Sequence, residues 1–275
     1  MNLNSVKICG LFNFCSNKVI FRKLPGAVTF AKNSMTQQNS KTMSQQEVGF
    51  ILCGAINPIT NMHLKMFDLA RDYFHKNTNF KVKFGGISPT ADSYGKPELV
   101  NAKHRQNMIK LALQENSWVS LLDWESNLNK WTPTEKVLTH YKQNEPKCKE
   151  LKLFLLCGAD LMQSFVTPGL WKESDIRKIV NNFGLVVITR ASYDPREFIK
   201  SSPLMQELSP KIHIVEECIE NKLSSTKIRK AVLEGRSIKY LTPDVVIEYI
   251  NEHGLYQKIE QSSFNVLAPF RNNKE

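Results

Sequence analysis

The chain has 275 residues, 41% hydrophobic and 23% charged, an ordinary globular composition with enough length for one large α/β core or two small ones. No apolar run approaches the ~20 residues needed to span a bilayer, so no membrane partner is expected. The formal charge of +11 is uneven: residues 1–46 hold Lys7, Lys18, Arg22, Lys23, Lys32 and Lys41 and no acid, so the remainder is only modestly basic and nucleic acid is not an expected partner.

Residues 1–46 form a basic N-terminal extension rich in Ser, Asn and Gln, with an amphipathic stretch at Lys18–Leu24. These are features of a mitochondrial transit peptide. Two plainer readings stand beside it: a disordered extension, or one bypassed by starts at Met35 or Met43. The expected location is intracellular, mitochondrial if the full extension is used and otherwise cytoplasmic. Cysteines 9, 15, 53, 148, 157 and 218 show no C-x-x-C pair and no histidine at zinc-finger spacing, which favours a reducing compartment and disfavours structural zinc.

The folded domain is expected over 47–258, with a tail over 259–275. Val48–Cys53 is an apolar run closed by Gly54 and predicts a buried strand. Asn61–His75 carries Met62, Met66, Phe67, Leu69, Ala70 and Phe74 at helical spacing. Lys81–Ser88 predicts a strand, Ala102–Glu115 a helix, Trp118–Trp124 a strand, and Pro133 opens a helix to about Gln143. Lys142–Glu150 is the most linker-like stretch of the body. Leu151–Cys157, Gly184–Thr189 and Lys211–Val215 predict strands, and Ser225–Leu233 and Pro243–His253 helices, the last closed by Gly254. Alternating strands and helices imply an α/β fold: a Rossmann-like open, mostly parallel sheet with helices on both faces and a ligand site at the carboxyl ends of the strands.

Two segments carry the chemistry, Gly54-Ala-Ile-Asn-Pro-Ile-Thr-Asn-Met-His63 and Ser224-Ser-Thr-Lys-Ile-Arg229. Each is a turn opening a helix, where unpaired N–H groups and the helix dipole attract phosphate. In the first, Thr60 suits the N-cap, and His63 falls three residues in, placed to donate to a phosphate oxygen or merely to cap its own helix. In the second, Ser225 or Thr226 caps while Lys227 and Arg229 add charge; a capped surface helix is the plainer alternative. Neither G-x-x-x-x-G-K-[ST] nor G-x-G-x-x-G occurs, so phosphates must be held by these two helix starts.

These two segments resemble the G-x-F-x-P-x-[TH]-x-x-H and I-S-S-T-x-x-R motifs of the nucleotidyltransferase superfamily. The chain as a whole is similar to eukaryotic nicotinamide mononucleotide adenylyltransferases. Further matching segments are Ile87-Ser-Pro-Thr-Ala-Asp-Ser-Tyr94, Asp123-Trp-Glu-Ser126, Leu156-Cys-Gly-Ala-Asp-Leu161, Gly169-Leu-Trp-Lys172, the run from Tyr240 through Pro243 to Val246, and Val266-Leu-Ala-Pro269. The likeness covers about residues 48–270 and leaves out the extension.

The resemblance implies adenylyl transfer from ATP to nicotinamide mononucleotide, and to nicotinic acid mononucleotide, giving NAD or its acid analogue and pyrophosphate. It implies His63 and Arg229 as catalytic groups. ATP would be held by Gly54, Ala55, His63, Gly158, Asp160, Ser225, Thr226, Lys227 and Arg229, with Asp160 on the ribose. The mononucleotide end would be framed by Ala55, Ile56, Trp124, Thr134, Leu170, Trp171, Arg190, Glu217 and Asn221. Trp118 and Trp131 are read as packing residues. Mg2+ would ride on the phosphates with no dedicated protein ligands, and a homo-oligomer is expected. The family's usual Gly-Ser-Phe reads Gly54-Ala55-Ile56 here, so position 55 offers no hydroxyl and position 56 no aromatic face. The basic insertion carrying a nuclear signal in one branch is absent at Asn144–Leu153. Rival readings are another nucleotidyltransferase, a synthetase-like fragment, or a non-catalytic, chaperone-like protein on the same fold.

Overall fold

The computed structural model describes residues 45–189, 194–217, 219 and 222–257. The expectations for the extension, the tail, residues 266–269, Cys9, Cys15, Cys218, Arg190 and Asn221 lie outside these residues.

Six strands form one sheet: β1 (Glu47–Gly54), β2 (Lys81–Pro89), β3 (Val119–Leu121), β4 (Lys152–Gly158), β5 (Leu185–Ile188) and β6 (Ile212–Val215). Their order is β3-β2-β1-β4-β5-β6, and every pairing is parallel. The chain first builds outward from β1 to β3, then returns to the other side of β1 with β4. The order therefore reverses between β1 and β4, and the crevice beyond their carboxyl ends, at Gly54 and Gly158, is where such sheets take ligands.

Alternation along each strand feeds two cores, because successive side chains point to opposite faces. Val48, Phe50 and Leu52 of β1, Phe154 and Leu156 of β4, and Val186 and Ile188 of β5 share one core. Against it lie α1 (Asn61–Asn77), α2 (Ala102–Ala112), α8 (Ser225–Leu233) and α9 (Asp244–Glu252) through Met66, Ile109, Ile228 and Ile250. Ile51, Leu153, Leu155, Leu185 and Val187 face the other core, covered by α3 (Thr134–Asn144), α4 (Ala159–Val166), α5 (Glu173–Asn182) and α7 (Pro203–Leu208). The strands buried on both faces read as continuous apolar runs, which is why they were legible in the sequence. At Gly85 a Cβ would lie 2.8 Å from the Phe67 ring, so this glycine lets α1 sit directly on β2.

Several details differ from expectation. The third strand is only three residues long: after Leu122 donates to the Ile87 carbonyl at 2.9 Å, the chain turns into a short 3-10 segment at Glu125–Asn127. Helices α4, α5, α6 (Pro195–Ser201) and α7 were not anticipated. Two of them are six- and seven-residue pieces whose starts are set by caps: Asp194 accepts from the Arg196 amide and Ser202 from the Met205 amide, each followed by a proline that suits the first helical position. The linker-like stretch is an ordered turn. The Lys142 ammonium donates to the carbonyls of Lys149 and Leu151 at 2.6 and 2.8 Å, and Cys148 is buried beneath it.

Candidate active site

The turn from Gly54 to Thr60 is anchored at nearly every carbonyl. The Gly54 oxygen accepts from the Thr90 amide at 2.9 Å, Ala55 from the Arg105 guanidinium at 3.0 Å, and Asn57 from Arg229 at 2.9 Å. The Pro58 oxygen accepts from the Ser225 hydroxyl and that of Ile59 from the Thr242 hydroxyl, both at 2.8 Å. The Asn57 side chain donates to the Glu98 carbonyl and accepts from the Tyr256 hydroxyl, each at 2.8 Å. A segment meant to receive an anion benefits when its own carbonyl oxygens are engaged by donors elsewhere, because free carbonyls repel negative charge.

This anchoring holds a strained backbone. Ile56 sits at φ 46 although it is β-branched, and its side chain is buried in the core. Such a conformation costs on the order of 1–3 kcal/mol and persists only where the surroundings over-determine it. Ile56 thus packs into the core, and Ala55, half-buried beside it, is the residue of the pair that keeps contact with solvent.

At the start of α1, Thr60 and His63 form a reciprocal capping box. The Thr60 hydroxyl accepts from the His63 amide at 3.2 Å, and the Thr60 amide donates to His63 Nδ1 at 3.0 Å. Because Nδ1 is an acceptor, the neutral ring carries its proton on Nε2, as a donor directed away from the cap. No acidic side chain occupies the first turn of α1 or of α8, so neither helix start has its positive end neutralised from within. At the start of α5 the first turn holds both Glu173 and Asp175.

Helix α8 meets the first turn directly. Ser224 is its N-cap and accepts from the Lys227 amide at 3.3 Å, Ser225 bonds Pro58, and Thr226 and Lys227 are exposed. Arg229 is buried: its Nη1 donates to Asn57, while Nε and Nη2 both reach Glu98 Oε2 at 2.8 Å. Across the crevice Gly158 caps α4, and Asp160 lies exposed in that helix's first turn. The predicted phosphate and ribose residues therefore come from three helix starts at one rim.

The aromatic residues are distributed less simply. Trp124 is half-buried with one face stacked on His140 at 3.6 Å and 8°. Thr134, half-buried, opens α3 on the same side. Trp171 packs edge-on against Phe165 and donates from its indole to Ser164 at 2.9 Å; with Phe165 and Gly169 it lines a groove of about 470 Å³ that also includes Glu173 and Glu207. None of the phosphate-end residues lines that groove. Leu170, half-buried, lies between Gly169 and Trp171. Glu217 follows β6 and pairs with Lys65 of α1 at 2.9 Å. Trp118 packs on Phe67 and under Arg71, as a packing residue should.

Residues 51–231 match the family model described as cytidylyltransferase-like. The bovine nicotinamide/nicotinic acid mononucleotide adenylyltransferase 1 is 41% identical over 268 residues, covering 82% of this chain and 95% of the relative. The Arabidopsis thaliana nicotinamide/nicotinic acid mononucleotide adenylyltransferase is 36% identical over 226 residues, covering 80% and 94%. The chain belongs to the nicotinamide/nicotinic acid mononucleotide adenylyltransferase family. A nicotinamide-nucleotide adenylyltransferase of Drosophila melanogaster is 40% identical over 237 residues, covering 76% of this chain and 61% of the relative. The structure of a Plasmodium falciparum nicotinic acid mononucleotide adenylyltransferase complexed with NaAD is alike in fold, with a TM-score of 0.56 at 20% identity over 76% of this chain and 97% of that chain.

Within this adenylyltransferase fold, several polar residues at the crevice escaped the sequence reading. Arg105 of α2 is fully buried and binds Ala55, Val100 and Asp92. Lys96, in the loop after β2, is within electrostatic reach of Arg229, Asp160 and Glu98; desolvation and the Arg229 charge lower its pKa. The rings of Trp131 and Tyr94 lie 6.5 Å apart, which fits the reading of Trp131 as a packing residue. No local pattern marks such residues, because their partners come from other parts of the chain.

Glu125 is the most perturbed of these groups. It is buried beside Trp124, and its carboxylate accepts from the Ser88 hydroxyl at 3.0 Å, which also contacts the Tyr141 hydroxyl. Burial pushes the carboxyl up to about 7, against the opposing pull of the Ser88 hydrogen bond and the Arg105 charge. A carboxyl with a folded pKa above its unfolded one holds its proton more tightly when folded. Stability therefore falls as pH rises from about 4.5 to about 7 and levels off above that, by up to about 3 kcal/mol. Glu125→Gln keeps an acceptor for Ser88 and is expected to remove this dependence. Its melting temperature should gain on that of wild type between pH 5 and pH 7.5; a pH-independent difference between the two melting curves would refute the assignment.

Proposed function

We propose that the chain transfers an adenylyl group from ATP to nicotinamide mononucleotide, and to nicotinic acid mononucleotide, releasing pyrophosphate. The observation that carries this reading is the direct contact of the two phosphate-seeking segments, Ser225 on Pro58 and Arg229 on Asn57, in a chain 41% identical to the bovine adenylyltransferase.

In the reaction a 5′-phosphate oxygen of the mononucleotide bonds to the α-phosphorus of ATP. The bond from that phosphorus to the α–β bridging oxygen breaks, and pyrophosphate leaves with the electron pair. The nucleophile is already an anion, so the protein need supply neither nucleophile nor general base; its work is positioning and charge stabilisation. In this reading the amides at the start of α8, with Thr226, Lys227 and Arg229, hold the β- and γ-phosphates. The His63 Nε2–H donates to the charge that develops as the α–β bond breaks. Gly158 and Asp160 receive the adenosine, with Asp160 on the ribose. Trp124, backed by His140, presents its remaining aromatic surface to the pyridine ring, a contact suited to a flat cation. Among the described residues no three His, Cys, Asp or Glu side chains gather as a metal-binding group. Mg2+ would ride on the polyphosphate oxygens, as suits a cation that keeps few protein ligands, and would neutralise charge there.

The test is an assay of dinucleotide formation from ATP, magnesium and each mononucleotide in turn. Product is expected with both; no product from folded protein would overturn the reading in favour of a non-catalytic role. Assembly as a homo-oligomer is part of the same proposal and is read by light scattering.

A further inference from the structure

Arg229 does not wait for phosphate with an empty guanidinium. Its side chain is 8% exposed, and its Nε and Nη2 both contact Oε2 of Glu98, itself 18% exposed, at 2.8 Å. Glu98 reaches this place from a backbone in the left-handed region, φ 61, a conformation that favours glycine. It is held there by the Asn57 side-chain amide, which donates to the Glu98 carbonyl at 2.8 Å. The same Asn57 offers its backbone oxygen to Arg229 Nη1 at 2.9 Å, so the first turn grips both partners of the ion pair. No acidic residue occupies the first turn of α1 or α8, yet this carboxylate is placed on the buried Arg229. Lys96, two residues before Glu98, is in electrostatic reach of both Arg229 and Asp160.

A buried guanidinium without a counter-charge is strongly disfavoured, and a carboxylate and a phosphate on one guanidinium repel each other. We propose that Glu98 is a stand-in anion for the phosphate clamp: it occupies Arg229 while polyphosphate is absent, and the phosphates of ATP or pyrophosphate must displace it. Glu98 thereby sets polyphosphate affinity and hastens release of pyrophosphate by returning to Arg229. The exposed Gly95-Lys96-Pro97 stretch, with Gly95 at φ 69, is the part of the loop that would accommodate the movement of the carboxylate. This inference rests on the reading that Arg229 receives phosphate.

The experiment is titration calorimetry of the full chain with inorganic pyrophosphate, together with KM for ATP, for wild type, Glu98→Gln, Glu98→Gly, Arg229→Lys and the Glu98→Gln/Arg229→Lys double variant. Removing the competing charge is expected to tighten pyrophosphate binding about tenfold and to lower KM for ATP in both Glu98 variants. Glycine suits the positive φ, so Glu98→Gly guards against a folding defect in the glutamine variant. The gain should vanish in the double variant. Unchanged or weaker pyrophosphate binding in both Glu98 variants, with Arg229→Lys weakened, would overturn the role of Glu98 alone. Unchanged binding in Arg229→Lys would overturn the phosphate reading of Arg229, and this inference with it.

Discussion

His63→Ala is expected to lower kcat/KM for dinucleotide formation by about two to three orders of magnitude while leaving the protein folded. The magnitude is that of removing one preorganised donor from a site where charge develops in the transition state, about 2.7–4 kcal/mol. The stability cost is smaller because His63 contributes to the fold mainly through the capping box with Thr60, and loss of a cap costs about 1 kcal/mol. The Thr60 hydroxyl still accepts from the amide at position 63, so the start of α1 keeps half of its cap. Steady-state kinetics alongside a thermal melt separate the two effects. A melting temperature that falls steeply with kcat/KM unchanged would make His63 a structural residue.

The second large effect is expected at a residue that touches no substrate. Arg105→Met should destabilise the protein by about 3–5 kcal/mol. The side chain is fully buried, and its guanidinium satisfies the carbonyls of Ala55 and Val100 at 3.0 and 2.9 Å and pairs with Asp92 at 2.7 Å. Methionine fills much of the volume but leaves two carbonyls without their donor, each costing about 1–3 kcal/mol, and frees a partly exposed Asp92. In a domain of this size that corresponds to a fall of about 10 °C in Tm. Because Ala55 belongs to the turn proposed to receive phosphate, KM for ATP should rise at temperatures where the variant is still folded. A shift of less than about 2 °C would show that the turn holds its shape without Arg105.

How much of this was legible in the chain differs by residue. The strands Val48–Cys53 and Leu151–Cys157 were plain because a parallel strand covered on both faces has no polar side and reads as an unbroken apolar run. Thr60 and Ser224–Thr226 were legible as helix starts because capping is chemistry between neighbours in sequence. Short helices α6 and α7 were passed over because six or seven residues hold too few turns for a periodic signal. Trp124 was legible as an aromatic group at a strand end, but that His140 already covers one of its faces was not, since His140 lies sixteen positions further along, beyond 3-10 turn, loop and helix.

The division follows from range. The sequence by itself determined the parallel α/β class, the two capped helix starts and the family of the chain, because each is written in adjacent residues or in their periodicity. Only the tertiary structure decided that Ser225 and Arg229 bind the carbonyls of the first turn, that Arg105 is a buried anchor, and that Glu98 holds Arg229. Those contacts join residues 50 to 172 positions apart. Their partners meet because α2 and α8 pack on the same core as β1 and α1, which brings Arg105 and Arg229 to the first turn and buries them.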